Sequence, residues 1–160
     1  MNRLEYRQRL ADLLQQEQNG TRSLLTELER QQQSLANAQP ELIEASARAS
    51  HELIQVLEAL EKKRISLAAR LGYSGDNDGM EQLIRWCDYD GTLAQQWRKL
   101  LEVARRCRDC NQVNGTVVDI NRRRVRQALG ILRGQLSEAE LYGRSGQTAT
   151  DTLSRPLAKV

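Results

Sequence analysis

The chain has 160 residues, enough for one domain, but only 39% are hydrophobic and 4% aromatic, with no phenylalanine, which argues against a thick globular core. The apolar residues are mostly leucine and alanine, and this favours an all-α fold. No apolar run is long enough to cross a bilayer, and charges replace the apolar region of a signal peptide, so we expect a cytoplasmic protein.

Two long amphipathic helices are predicted first, over residues 2–36 and 41–71. Leucines recur along one face of each helix at helical spacing. Pro40 and the residues before it predict a short turn, so the two helices should be antiparallel neighbours. Gly72 should end the second helix in a left-handed conformation.

A polar loop follows at residues 73–79, where glycine, aspartate and asparagine superficially suggest a calcium site. The acidic spacing of an EF-hand is not met, so we expect no metal there. Asp78 should instead cap a short helix over residues 80–87, with Glu81 completing a capping box.

The longest predicted helix comes next, capped by Asp90 or Thr92 and marked by a seam of residues spaced alternately by four and three. At about 1.5 Å per residue it would be roughly 60 Å long, which predicts an elongated molecule. The seam positions are Leu93, Trp97, Leu100, Ala104, Cys107, Asn111, Asn114, Val118, Asn121, Val125, Ala128 and Leu132.

Three amides lie in the middle of this seam, Asn111, Asn114 and Asn121, with Gly115 beside them. Buried amides cost stability unless they are paired, so they tend to fix register or oligomeric state. We interpret them as structural positions paired across the bundle. The alternative is a polar site for a ligand or partner.

These elements together predict an all-α, elongated antiparallel bundle of three long helices and one short helix, with coiled-coil-like packing, over residues 1–136. Residues 137–160 lack this periodicity beyond a short helical turn. They are expected to form a flexible C-terminal tail.

No motif in the chain predicts catalysis, a cofactor or a metal. His51, the only histidine, has no catalytic partner at a suitable helical spacing. Cys107 and Cys110 lie one helical turn apart, without the βαβ pattern of a redox motif or enough further zinc ligands. Nucleotide-binding and metalloprotease motifs do not occur. We therefore expect that the protein is not an enzyme.

Charge is distributed unevenly along the chain. Residues 73–90 carry one arginine against five carboxylates, whereas residues 91–136 carry ten arginines or lysines against three carboxylates. A basic face of this kind suits nucleic acid. However, no aromatic platform accompanies the arginines, and the acidic segment offers counter-charges, so nucleic acid is not the expected partner.

Apolar residues continue at helical spacing toward the end of the longest helix, beyond the length that the first two helices can cover. Exposed apolar surface on a helix usually marks a partner-binding strip. We call these residues the C-terminal strip: Val125, Leu129, Leu132 and Leu136.

Several short motifs follow one another in a distinctive order: Asn111, Asn114-Gly115, Asn121, the stretch 125–132, Leu141-Tyr142-Gly143 and Gly146-Gln147. In this order and spacing, after two long helices, residues 107–147 resemble the FlgN family of flagellar type III export chaperones. The N-terminal two-thirds resemble the family only in having long amphipathic helices.

The resemblance implies a cytoplasmic chaperone that binds hook-filament junction proteins, shields their terminal amphipathic helices from premature assembly and delivers them to the membrane export gate. It also implies that the C-terminal strip grips the client. Tyr142, flanked by Leu141 and Gly143, would contact the export gate or the client. Two alternatives stay open, a structural coiled-coil adaptor that forms a homodimer through the same seam and a basic helical nucleic-acid binder.

Overall fold

The computed structural model describes residues 2–132, with side chains through residue 130. Four α-helices and no strand occur within this range, which confirms the predicted all-α class with three long helices and one short one. None of these helices is both long and apolar enough to cross a lipid bilayer. The helices are α1 (Arg3–Ala36), α2 (Pro40–Ala69), α3 (Asn77–Cys87) and α4 (Thr92–Leu132).

The chain divides into two compact units, Met1–Val118 and Asp119–Val160. The first unit contains α1, α2, α3 and most of α4. Of the second unit, the structure describes the remaining residues of α4, 119–132.

Helix α1 begins with a capping box. The Asn2 side chain accepts a hydrogen bond from the backbone N–H of Glu5 at 2.9 Å, and the Glu5 carboxylate accepts one from the backbone N–H of Asn2 at 3.0 Å. These bonds satisfy two donors that a helix start would otherwise leave unpaired. At its other end α1 turns through Ala38, which has a φ of 51°, into Pro40 at the first turn of α2.

Helix α2 ends two residues earlier than the leucine pattern predicts, at Ala69. The backbone N–H of Tyr73 bonds to the carbonyl of Ala68 at 3.2 Å, so the chain closes over the helix end. Gly72 has a φ of +80°, which confirms the predicted left-handed residue.

The start of α3 corrects the prediction that Asp78 is its cap. Asp76 is the cap, because its Oδ1 accepts from the Gly79 N–H at 2.8 Å and from the Ser74 hydroxyl at 2.7 Å. The Ser74 hydroxyl, followed by the Gly79 N–H, lowers the pKa of Asp76. Asp78 lies in the first turn, where its charge is favourable to the helix dipole.

Two aspartates hold the start of α4, and of the two predicted caps, Asp90 and Thr92, it is Asp90 whose side chain accepts from a backbone N–H there. The Asp90 carboxylate accepts from the Thr92 N–H at 3.0 Å, and Asp88 accepts from the Ala94 N–H at 2.9 Å. Asp90 also receives a bond from Arg7 Nη2 at 2.6 Å, which links this helix start to α1. The Thr92 N–H first, and then Arg7, hold the pKa of Asp90 well below its usual range.

The three long helices of the first unit run up, down and up. Glu17 of α1 meets Arg64 of α2, and Gly20 lies against Leu57, so sequence numbers rise along one helix as they fall along the other. Along α1 and α4 the sequence numbers rise together, because Thr21 contacts Cys107 and Leu28 contacts Asn114. Helix α4 is therefore parallel to α1 within this unit.

The apolar core of this unit is largest where all four helices meet. Leu14, Met80 and Leu93 are completely buried there. A smaller cluster of Leu25, Leu28 and Cys107 continues it along α1 and α4. The main core comprises Tyr6, Leu10, Leu14, Leu67, Ala68, Met80, Leu83, Ile84, Cys87, Leu93, Trp97 and Leu100.

Near the turn between α1 and α2 the interior changes character. The buried residues there include three serines, Ser34, Ser46 and Ser50, and only Leu35 adds a buried large side chain. The hydroxyls of Ser34 and Ser46 bond back to carbonyls of their own helices. Small polar residues let the two helices approach, but they bury little apolar surface.

Candidate functional site

The described part of the C-terminal strip is exposed on α4. Val125 is 58% exposed and Leu129 is 44% exposed. Residues four apart on a helix lie on the same face, so these two side chains form a continuous apolar patch. The side chains of Leu132, Leu136, Leu141 and Tyr142, and Gly143, lie outside the described residues.

A cluster of cations surrounds this patch. Arg122, Arg123, Arg124 and Arg126 are all exposed, and among the residues with described side chains no carboxylate forms an ion pair with them. Within the first unit, Asp90 of the acidic segment bonds to Arg7, and Asp76 caps α3. The end of α4 therefore combines exposed apolar surface with exposed positive charge.

Of the amides singled out in the seam, Asn114 is the buried one, at 2% exposure. Its Nδ2 donates to the carbonyl of Leu28 at 2.9 Å and to Oε1 of Gln31 at 3.1 Å, both on α1. These bonds pair the amide across the helices and fix the stagger of α4 against α1. Its Oδ1 is buried without a hydrogen-bond partner.

The other amide positions face outward. Asn111 and Asn121 are exposed, and Gly115 is exposed with open space where a Cβ would lie. The structure therefore does not bring the four residues together into one polar site. Asn114 alone of the four lies between helices.

The cysteines and the histidine are placed as ordinary helix residues. The Cys107 Sγ contacts the carbonyl of Thr21 at 3.4 Å, and burial raises the pKa of both Cys107 and Cys110. A raised pKa disfavours the reactive thiolate. His51 is exposed and lies 3.2 Å from the Gln55 amide. In the described range no group of three or more potential ligands is arranged to hold a metal ion.

An open groove in the first unit was not anticipated from the sequence. Helices α2 and α4 supply most of its lining, and α1 adds Glu17, Thr21 and Leu24. Its volume is about 540 Å³. Much of the lining is apolar, including Ile54, which is 41% exposed. We call it the α2–α4 groove.

A buried ion pair lies in the wall of this groove. Arg64 Nε donates to both carboxylate oxygens of Glu17, at 3.0 and 2.9 Å. The Arg64 guanidinium also stacks 5.0 Å from the centre of the Trp97 ring, whose Nε1 donates to Asn77 Oδ1 at 3.1 Å. Arg64 Nη1 is buried with no hydrogen-bond partner.

The sequence contains a signal for this pair that the spacing of apolar residues does not capture. Glu17 takes a position in the stripe of Leu10, Leu14 and Thr21 on α1. Arg64 does the same between Leu60 and Leu67 on α2. Charged residues on the buried faces of two neighbouring helices predict a pair, because an unpaired buried charge is too costly.

Comparison with known proteins adds a family assignment to this geometry. Residues 1–150 match the family model described as FlgN protein. Two curated relatives, each named Flagella synthesis protein FlgN, come from Salmonella typhimurium (strain LT2) and Salmonella typhi. Each is 30% identical to the chain over 141 residues, which cover 88% of this chain and 91% of the relative. No solved structure matches the chain significantly.

Proposed function

Because the chain belongs to the FlgN family, we propose that it acts in flagellar assembly as a cytoplasmic export chaperone. It binds hook-filament junction proteins, prevents their premature assembly and delivers them to the flagellar type III export apparatus. Curated relatives named for flagella synthesis align with 88% of its length, which supports the role in assembly.

The exposure of Val125 and Leu129 is the observation that carries the chaperone proposal. An apolar strip on a helix can receive the apolar face of a client helix without any cofactor or catalytic step. Leu132 and Leu136 continue the strip at helical spacing. A strip of this kind covers the surface through which client helices would otherwise assemble.

The arginines beside the strip give the client site its charge. Arg122, Arg123, Arg124 and Arg126 create a positive field around the apolar patch. Charges at the rim of an interface mainly accelerate encounter and select partners. Client helices with acidic residues beside their apolar face fit this surface best.

Residues 137–160 have a second role in this proposal. Leu141, Tyr142 and Gly143 contact the export gate or the client, in line with the family resemblance of this segment. A tyrosine offers apolar area and a hydroxyl at low entropic cost. The tail thereby couples client binding to delivery.

A binding experiment with two forms of the protein tests the chaperone proposal. The full chain and a form that ends at Ser137 are each used to capture partners from a lysate of flagellated cells, and purified hook-filament junction proteins are then titrated against both. Direct binding of the full chain supports the proposal, and the difference between the forms measures what the tail contributes. Failure of the purified proteins to bind contradicts it.

Sedimentation and a shift assay with the same protein test the two alternative functions, a homodimeric adaptor and a nucleic-acid binder. A homodimeric adaptor would sediment as a dimer at micromolar concentration without any client. A nucleic-acid binder would retain DNA or RNA in a shift assay, with an affinity that falls steeply as salt increases.

Leu132→Asp combined with Leu136→Asp should abolish client binding and leave helicity unchanged. Full client binding by this double variant would contradict the assignment of the C-terminal strip as the client site.

A further inference from the structure

The α2–α4 groove is unusual in combining an apolar lining with an excess of negative charge. Its lining includes four carboxylates against a single guanidinium, a net charge of −3. Glu17 pairs with Arg64 within the wall, and the exposed Glu61 carboxylate lies 3.8 Å from Arg64 Nη2, so one guanidinium faces two of the four carboxylates. Apart from Glu17, the carboxylates Glu58, Glu61 and Asp76 therefore set the electrostatic character of the opening.

The shape of the groove fits a helix. Its lining on α2 runs from Ile54 to Arg64, which corresponds to about 15 Å of helix length, or roughly three turns. Two antiparallel helices, α2 and α4, form its sides, and a further helix between them would complete a four-helix arrangement. Leu57, Leu101 and Ala104 offer the apolar contacts that such a helix needs.

We propose that the α2–α4 groove is a docking site for an amphipathic helix of a partner protein, apolar on one face and flanked by lysine or arginine. The apolar face contacts Ile54, Leu57 and Leu101. The basic flank faces Glu58, Glu61 and Asp76. This site is separate from the C-terminal strip, and its partner has the opposite charge requirement.

A pair of synthetic helical peptides tests the charge requirement. One carries a stripe of leucine flanked by lysine over about four helical turns, and the other has glutamate in place of every lysine. Titration calorimetry with the full-length chain should show the lysine peptide binding one-to-one. The glutamate peptide should bind at least about tenfold more weakly. Equal affinity of the two peptides overturns the proposal.

Charge-reversal variants locate the binding to the groove. Glu58→Lys with Glu61→Lys should weaken the lysine peptide by about tenfold or more. Glu41→Lys with Glu52→Lys is the matched control, because it makes the same change in net charge on α2 outside the groove. An equal loss in both double variants would mean that the peptide responds only to net charge, which overturns the assignment.

Apolar variants and a spectroscopic signal make the test independent of charge. Ile54→Asn should weaken binding, whereas Val56→Asn, on the same helix and also exposed, should not. In a proton-nitrogen correlation spectrum the indole signal of Trp97 should shift on binding and that of Trp86 should stay. Movement of Trp86 alone places the peptide elsewhere and contradicts the proposal.

Sedimentation tests whether a second copy of the chain occupies the groove. A dimer that Ile54→Asn dissociates would show that another protomer fills the groove, and this result overturns the assignment to a partner protein. A monomer that binds the lysine peptide supports it. Circular dichroism of each variant confirms that the helices are intact.

Discussion

Arg64 donates through a single nitrogen, Nε, to both carboxylate oxygens of Glu17, and both side chains are more than nine-tenths buried. The two residues are 47 positions apart on antiparallel helices. Glu17 depends on Arg64 for the compensation of its buried charge, whereas Arg64 also has the Glu61 carboxylate 3.8 Å from its Nη2.

We expect Arg64→Met to lower the free energy of unfolding by roughly 3–5 kcal/mol at neutral pH, because it leaves the Glu17 carboxylate buried and uncompensated. Adding Glu17→Gln to the same chain should recover most of this loss, since it removes the stranded charge. Urea unfolding followed by circular dichroism measures both effects. Additive losses in the double variant would show that the two residues act independently.

The ionisation of Glu17 should make the free energy of unfolding depend on pH. Burial raises the pKa of Glu17, and the attraction of Arg64 offsets this only in part. The folded chain then keeps this proton at a pH where the unfolded chain has lost it, so stability falls as pH rises through that range.

The comparison of the wild-type chain with Glu17→Gln isolates this effect. The free energy of unfolding of the wild type minus that of the variant should decrease as pH rises from about 4 toward 7. Both values come from urea unfolding at each pH. An increase over the same range would mean that the attraction of Arg64 outweighs burial and holds the pKa of Glu17 below its ordinary value.

Asn114→Ala should destabilise the first unit by about 1–3 kcal/mol, because it removes the bonds to Leu28 and Gln31. Asn111→Ala and Asn121→Ala are matched controls, since both side chains are exposed, and they should change stability by less than about 0.5 kcal/mol. Thermal and urea unfolding of the three variants provide the measurement. Equal effects at all three positions would contradict the distinct role of Asn114.

Replacement by alanine should change the stability of the protein in opposite directions at two glycines. A Cβ at Gly79 would collide with the backbone carbonyl and hydroxyl of Ser74, so Gly79→Ala should destabilise the start of α3. Gly115 has open space around it on α4, and Gly115→Ala should stabilise by about 0.5–1 kcal/mol through helix propensity. Unfolding midpoints that shift in the same direction for both would contradict this distinction between the two sites.

Replacing the exposed strip residues tests binding without disturbing the fold. Val125→Asp with Leu129→Asp should reduce client affinity by at least about tenfold and leave the helical circular dichroism signal unchanged. Val113→Asp is the control, because Val113 is 45% exposed on the same helix but outside the strip. Calorimetry with a purified hook-filament junction protein measures the affinity, and an equal loss in the control would mean that the strip is not specific.

Helix existence and order could be predicted from the sequence because leucine spacing and the breaks at Pro40 and Gly72 act locally. Caps were harder to predict, since Asp76 and Asp78 both precede an apolar run. The hydroxyl of Ser74 and the N–H of Gly79 converge on Asp76, which spacing alone did not reveal. The choice between two aspartates depends on the fold of the loop.

Contacts between distant helices were the part that the sequence could not supply. Asn111 and Asn114 occupy equivalent seam positions, yet only Asn114 meets the Leu28 carbonyl. The outcome depends on the stagger of α4 against α1, which a pattern on one helix does not encode. The Glu17–Arg64 pair has the same origin, because its register is set by the whole hairpin.

The serines near the α1–α2 turn have a consequence for how the hairpin opens. Local opening costs least where few apolar contacts must be broken, and Ser34, Ser46 and Ser50 contribute few of them. At the other end of the hairpin, the buried side chains of Leu14, Met80 and Leu93 must all become exposed to water before the helices separate. We therefore expect the backbone amides near the turn to exchange with solvent faster than those of the core.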